Sequence, residues 1–147
     1  MMGRYELGDN KGFVEVIAGE FRPEGSAQVV KGPASTFTQM HVYNARLKKN
    51  ANLELIFPAN YNTGLLVVEG SATINDTAVP TDHFILFRND GEKIDITVSE
   101  DAVLLVLSGE PINEPIAQYG PFLMNKWEEL EQAIADVSAG KFGVLED

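Results

Sequence analysis

His41 and His83 are the only histidines in the 147-residue chain, and there is no cysteine. Two imidazoles with one carboxylate, Glu69 for instance, are the smallest set from which a redox metal centre could be built, with positions left open for substrate and dioxygen. The lack of cysteine removes disulfides, thiolate zinc sites and cysteine nucleophiles together. Tyr43, Tyr61, Asn62 and Tyr119 have side chains suited to lining a pocket, through ring faces and hydrogen-bonding tips. Other chemistry is thin. Ser108-Gly109-Glu110 lacks the strand–turn–helix context of a nucleophile elbow and has no histidine near it in sequence. The glycines show no phosphate-loop spacing, and Glu128, Glu129 and Glu131 read as a solvated helix face.

The elements that must position these residues are short strands. Met40 to Leu47 reads as one of the longer ones, and if Leu47 points inward, alternation puts Ala45, Tyr43 and His41 on the same inner face. His83 opens a strand to Phe87 whose alternate residues Ile85 and Phe87 face in. Further strands are expected at Phe13–Ile17, Gln28–Val30, Leu53–Phe57, Leu65–Val68, Ser71–Ile74, Ile94–Val98 and Val103–Leu107, divided by turn signals such as Asn75-Asp76 and Asn89-Asp90-Gly91. Leu65-Leu66-Val67-Val68 is apolar throughout, the pattern of a strand buried on both sides. Strands this short and closely spaced predict an all-β barrel or sandwich. Near the C-terminus, Trp127, Leu130, Ile134 and Val137 recur at helical spacing, predicting a helix over 126–139 with Asn125 as N-cap and Glu128 completing a capping box. Its apolar stripe is expected to dock on its own barrel or across a subunit interface. The proline-rich stretch Pro111–Leu123 is expected to lack regular structure.

Eleven Lys and Arg against 22 Asp and Glu give a net charge of −11, which repels phosphate backbones and argues against direct nucleic-acid binding. The apolar run Ala102–Leu107 is far shorter than the ~20 residues a membrane helix needs. No secretory pattern follows Met1-Met2-Gly3-Arg4, so the expected compartment is the cytoplasm. The length suits one domain, 1–147, in which 1–11 is a short leading segment.

The run Ser108-Gly109-Glu110-Pro111-Ile112-Asn113-Glu114-Pro115, then Tyr119-Gly120-Pro121-Phe122-Leu123-Met124-Asn125, closing on Gly140-Lys141-Phe142-Gly143, resembles the C-terminal signature of pirins. Val16-Ile17-Ala18-Gly19-Glu20 and Pro58-Ala59-Asn60-Tyr61-Asn62 with Leu66-Val67-Val68-Glu69-Gly70 resemble other parts of the same domain. The resemblance implies a cupin-type jelly-roll barrel of two facing antiparallel sheets with a terminal helix. Pirins are two-barrel proteins about twice this long, associated with quercetin 2,3-dioxygenase activity and transcriptional co-regulation, and their metal lies in the N-terminal barrel. Carried through the shared hairpin, the ligand positions of that barrel fall here on Ile56, Pro58, Asn62 and the stretch Ile94–Ile96, none of them good ligands. The expectation is a barrel with no cofactor, acting in assembly or binding. The alternative is an oxygenase with iron or another divalent metal, held at His41, His83 and Glu69 or by a separate metal-bearing chain. The expected partner is a second copy of the chain, or a separate chain resembling the N-terminal barrel.

Overall fold

Alternation along one strand sets the barrel's inside and outside. In the strand Ala102–Gly109, the residues Ala102, Leu104, Val106 and Ser108 are buried while Val103, Leu105 and Leu107 look outward. The same period of two recurs in its neighbours, as side chains on a pleated strand require. The structure, a computed structural model, describes residues 2–143. By its internal packing the chain divides into two compact units, Met1–Pro111 and Ile112–Asp147.

The first unit holds twelve strands: β1 (Gly3–Glu6), β2 (Gly12–Ala18), β3 (Glu20–Phe21), β4 (Val30–Lys31), β5 (Met40–Leu47), β6 (Asn52–Ile56), β7 (Asn62–Glu69), β8 (Ala72–Ile74), β9 (Thr77–Val79), β10 (Phe84–Leu86), β11 (Lys93–Thr97) and β12 (Ala102–Gly109). A six-stranded antiparallel sheet runs β1-β2-β5-β12-β7-β10, and a four-stranded one runs β6-β11-β8-β9. The core between them draws Val14, Val16, Tyr43, Ala45, Leu47, Leu65, Val67, Leu104 and Val106 from the first sheet and Leu53, Leu55, Ile74, Ile94 and Ile96 from the second. The small β3–β4 ribbon adds Phe21 and Val30. These are the two facing sheets of a cupin jelly roll.

Most expected strands are present with boundaries moved by a residue or two, and β5 matches to the residue. Several readings are corrected. The short leading segment itself carries a strand: Gly3–Glu6 pairs along β2, with Tyr5 packed on the core. Thr77–Val79 forms β9, a strand too short to show periodicity, paired with β8 across Asn75 and Asp76, both at positive φ. Such a two-residue connection favours asparagine and aspartate because they tolerate that backbone region.

The second unit is a hairpin and a helix. Pro111–Leu123 is not wholly irregular: β13 (Ala117–Tyr119) pairs with β14 (Phe122–Met124) across Gly120, and the helix α1 (Trp127–Ser138) packs on both. Asn125 does not cap α1. Its Nδ2 donates to Glu114 Oε2 (2.8 Å) and to the Pro115 carbonyl (3.0 Å), tying the hairpin's entry to its exit. The cap position passes to Lys126, and Glu129 rather than Glu128 reaches back to accept from the backbone N–H of Lys126 (3.0 Å) and Asn125 (3.1 Å). Leu130 and Ala133 are the helix's buried residues. Among the described residues no helix is long and apolar enough to cross a membrane.

Candidate functional site

His41 stands near the start of β5, two residues before buried Tyr43, and faces inward as the alternation requires. Directly opposite it on β12 is Ser108, and opposite Ser108 on β7 is Thr63. Facing residues in an antiparallel ladder share a side of the sheet. The three therefore form one polar row across three strands, at the end of the barrel where Phe57 and Tyr61 also lie. Ser108 Oγ and Thr63 Oγ1 are 2.8 Å apart, and each residue is only 5% exposed.

Around the histidine the rings are packed closely. The His41 ring centroid is 5.3 Å from Phe57, 5.9 Å from Tyr43 and 6.1 Å from Tyr61, and Tyr43 stacks with Phe57 at 5.9 Å. Tyr43 Oη donates to the Glu20 carbonyl at 2.6 Å. His41 Nδ1 lies 3.2 Å from that same carbonyl and 3.0 Å from Tyr43 Oη. Burial pushes the His41 imidazole below its ordinary range, against a smaller opposing pull from the Glu20 backbone and carboxylate. Burial, helped by the Glu20 charge, raises the Tyr43 phenol, which stays protonated and serves as a fixed donor.

The other sequence candidates are not brought here. Glu69 is exposed at the far end of β7, level with Val103 rather than with Ser108, so about five residues of strand, some 16 Å, separate it from His41's level. His83 precedes β10. Ile85 and Phe87 beyond it do pack on the core, but His83 itself is exposed, with Nδ1 2.9 Å from the Thr81 carbonyl. The set His41, His83 and Glu69 is thus not assembled. Among the described residues no three His, Cys, Asp or Glu side chains are grouped to hold a metal. Of the four pocket candidates, Tyr43 and Tyr61 meet around His41. Asn62 is exposed and accepts from Asn89 Nδ2 at 3.1 Å. Tyr119 belongs to the second unit, edge-on to Trp127 at 6.3 Å.

A cupin metal does not fit the residues present. The positions equivalent to ligands are filled by Ile56, Pro58 and Asn62, all exposed, and by Ile94 and Ile96, buried apolar residues of the core. The inner row offers one imidazole and two hydroxyls. What the sequence reading missed is the Glu20 carbonyl and Phe57, both essential to the surroundings of His41. Gly19-Glu20 was visible only as part of a family motif, and Phe57 only as an inward strand residue.

The hydroxyl pair carries a prediction. Ser108→Ala should cost about 1–3 kcal/mol, because it leaves Thr63 buried with no partner. The double variant Thr63→Val/Ser108→Ala should cost clearly less than the sum of its single changes, read by denaturant unfolding of all four proteins.

Two facing antiparallel sheets closed over an apolar core define the first unit as a jelly-roll barrel. More narrowly, residues 42–143 match the family model of the pirin C-terminal cupin domain, and the chain belongs to that family. It is 37% identical to a Pseudomonas aeruginosa protein named "Putative quercetin 2,3-dioxygenase", over 95% of this chain and 46% of that one. It is 31% identical to the pirin-like protein of Solanum lycopersicum, over 88% of this chain and 44% of that one. The crystal structure of a quercetin 2,3-dioxygenase from Acinetobacter baumannii superposes with a TM-score of 0.86 at 33% identity, covering 99% of this chain and 49% of that one. The chain spans about half the length of the curated relatives it matches.

Proposed function

We propose that this chain is a non-catalytic cupin barrel that works by assembly, packing the outer face of its six-stranded sheet against a second copy of itself. The observation that carries this reading is that outer face. Where β12, β7 and β10 lie side by side, the outward residues are Val103, Leu105 and Leu107, then Leu66 and Val68, then Phe84 and Leu86. Gly64 completes the patch. A Cβ there would fall 2.2 Å from the Phe84 ring, so glycine is what lets that ring lie flat over β7. Leu107 is 37% exposed, Val68 40%, Phe84 55% and Leu86 74%.

Across Leu105, Leu107, Leu66, Phe84 and Leu86 no charged side chain intervenes, while Arg46 and Glu69, the strand partners of Val103, bound the patch at one end, in a protein whose net charge of −11 otherwise drives copies apart. A contiguous apolar patch of this kind marks a surface that is covered in use. A face that meets its own copy about a two-fold axis needs no second complementary surface, which makes the isologous pair the simplest cover. The relatives carry about as much chain again as this one spans.

The names of those relatives favour one other occupant: a separate metal-bearing barrel on the same face, the pair then acting as an oxygenase. Metal analysis separates the readings within this chain. Protein purified without chelators should hold far less than one equivalent of iron, nickel or manganese. A near-stoichiometric metal that is lost in His41→Ala would overturn the non-catalytic reading.

A further inference from the structure

His41 is held by an arrangement more specific than packing needs. Tyr43 has one phenolic proton, and the 2.6 Å contact commits it to the Glu20 carbonyl. Both oxygens around His41 Nδ1, the Glu20 carbonyl at 3.2 Å and Tyr43 Oη at 3.0 Å, are then available to it only as acceptors. Nδ1 must carry the ring proton, which leaves Nε2 a bare lone pair. Nε2 has no hydrogen-bond partner among the described residues. The backbone is shaped to allow this. A Cβ on Gly19, at φ +75°, would stand 2.7 Å from Nδ1 and 2.3 Å from the Met40 carbonyl, so glycine alone lets the imidazole lie against the Gly19-Glu20 chain.

Beside this ring is an open depression of about 500 Å³, lined by Gly19, Glu20, Gly32, Phe37, Met40 and His41 among others. Phe37, on its wall, is fully exposed. We infer that this depression binds a small, neutral, flat ring compound that donates one hydrogen bond from its edge to His41 Nε2. Flatness follows from the exposed Phe37 ring on the wall of the depression and from the imidazole itself, which reward stacking or edge contact. Neutrality follows from the charges at the rim. The Glu20 carboxylate is already engaged by Arg22 (2.8 Å) and Lys31 (3.8 Å), so a cationic ligand meets two cations with their anion taken. An anion would have to face a lone pair.

Indole and 1-methylindole are the probes, because they share a ring and differ in the one N–H. With the full chain in solution, indole should bind saturably and shift the His41 Nε2 resonance in ¹⁵N NMR. 1-Methylindole should bind about tenfold more weakly, the typical worth of one hydrogen bond. His41→Phe keeps a ring and removes the acceptor, so it should equalise the two probes. Tyr43 is a positioning residue, and Tyr43→Phe should convert the single Nδ1–H tautomer into a mixture in the ligand-free protein. Equal affinity for the two probes, no saturable binding of indole, an Nε2 resonance that indole leaves unmoved, or a proton found on Nε2 in the native chain would each overturn the inference. Should His41→Phe fail to fold, the probe comparison on the native chain decides alone.

Discussion

Replacing Leu107 and Phe84 together by glutamate should turn a dimer into a monomer while leaving the barrel folded. Both side chains point out of the six-stranded sheet, from β12 and from β10, with β7 between. In the free chain each glutamate would be solvated, and exposed substitutions away from special features typically change stability by no more than about 0.5 kcal/mol. In the paired state four carboxylates would be buried in an apolar contact without partners. Desolvating unpaired charge costs several kcal/mol per group. The dissociation constant should rise by at least about a hundredfold. Sedimentation equilibrium reports the association, and circular dichroism should show the fold kept. A double variant that associates as tightly as the native chain would place the contact elsewhere.

Leu104→Ala should have the opposite signature. Leu104 lies on β12 only three residues before Leu107, but on the inner face and wholly buried. Truncating it leaves a cavity between the sheets that close packing cannot fill, at a cost of about 2–5 kcal/mol. For a chain of this size that lowers the melting temperature by roughly 10 °C. Thermal unfolding of the variant checks this, under conditions that keep it monomeric so that association does not enter. A loss below about 1 kcal/mol would mean that β12 does not present this face to the core. The pair of results reads the inside and the outside of one strand separately, which a single destabilising change could not do.

The barrel was legible in the sequence because period-two alternation is a local signal, and β2, β6 and β11 carry it cleanly. It failed where local signals compete. The prolines around β13 and β14 mask strands of three residues each, and what holds them is the long-range reach of Asn125 back to Glu114 and Pro115. That same engagement removes Asn125 from the helix cap its residue type suits best, and Lys126 takes the position. The inward direction of His41 followed from Leu47 by counting. Its tautomer did not, since that depends on Glu20, 21 residues away on a separate ribbon. The outer apolar face was half visible: Leu65-Leu66-Val67-Val68 reads as buried on both sides, and the structure buries Leu65 and Val67 while Val68 keeps 40% exposure. The remainder of that burial is what a partner would supply.

The mass of the native chain in dilute solution therefore tests the assembly directly. Sedimentation velocity at low micromolar concentration, with no other protein present, should show a single species of twice 16.1 kDa. A single species of 16.1 kDa throughout a dilution series would contradict it, and would leave the apolar face to a different chain.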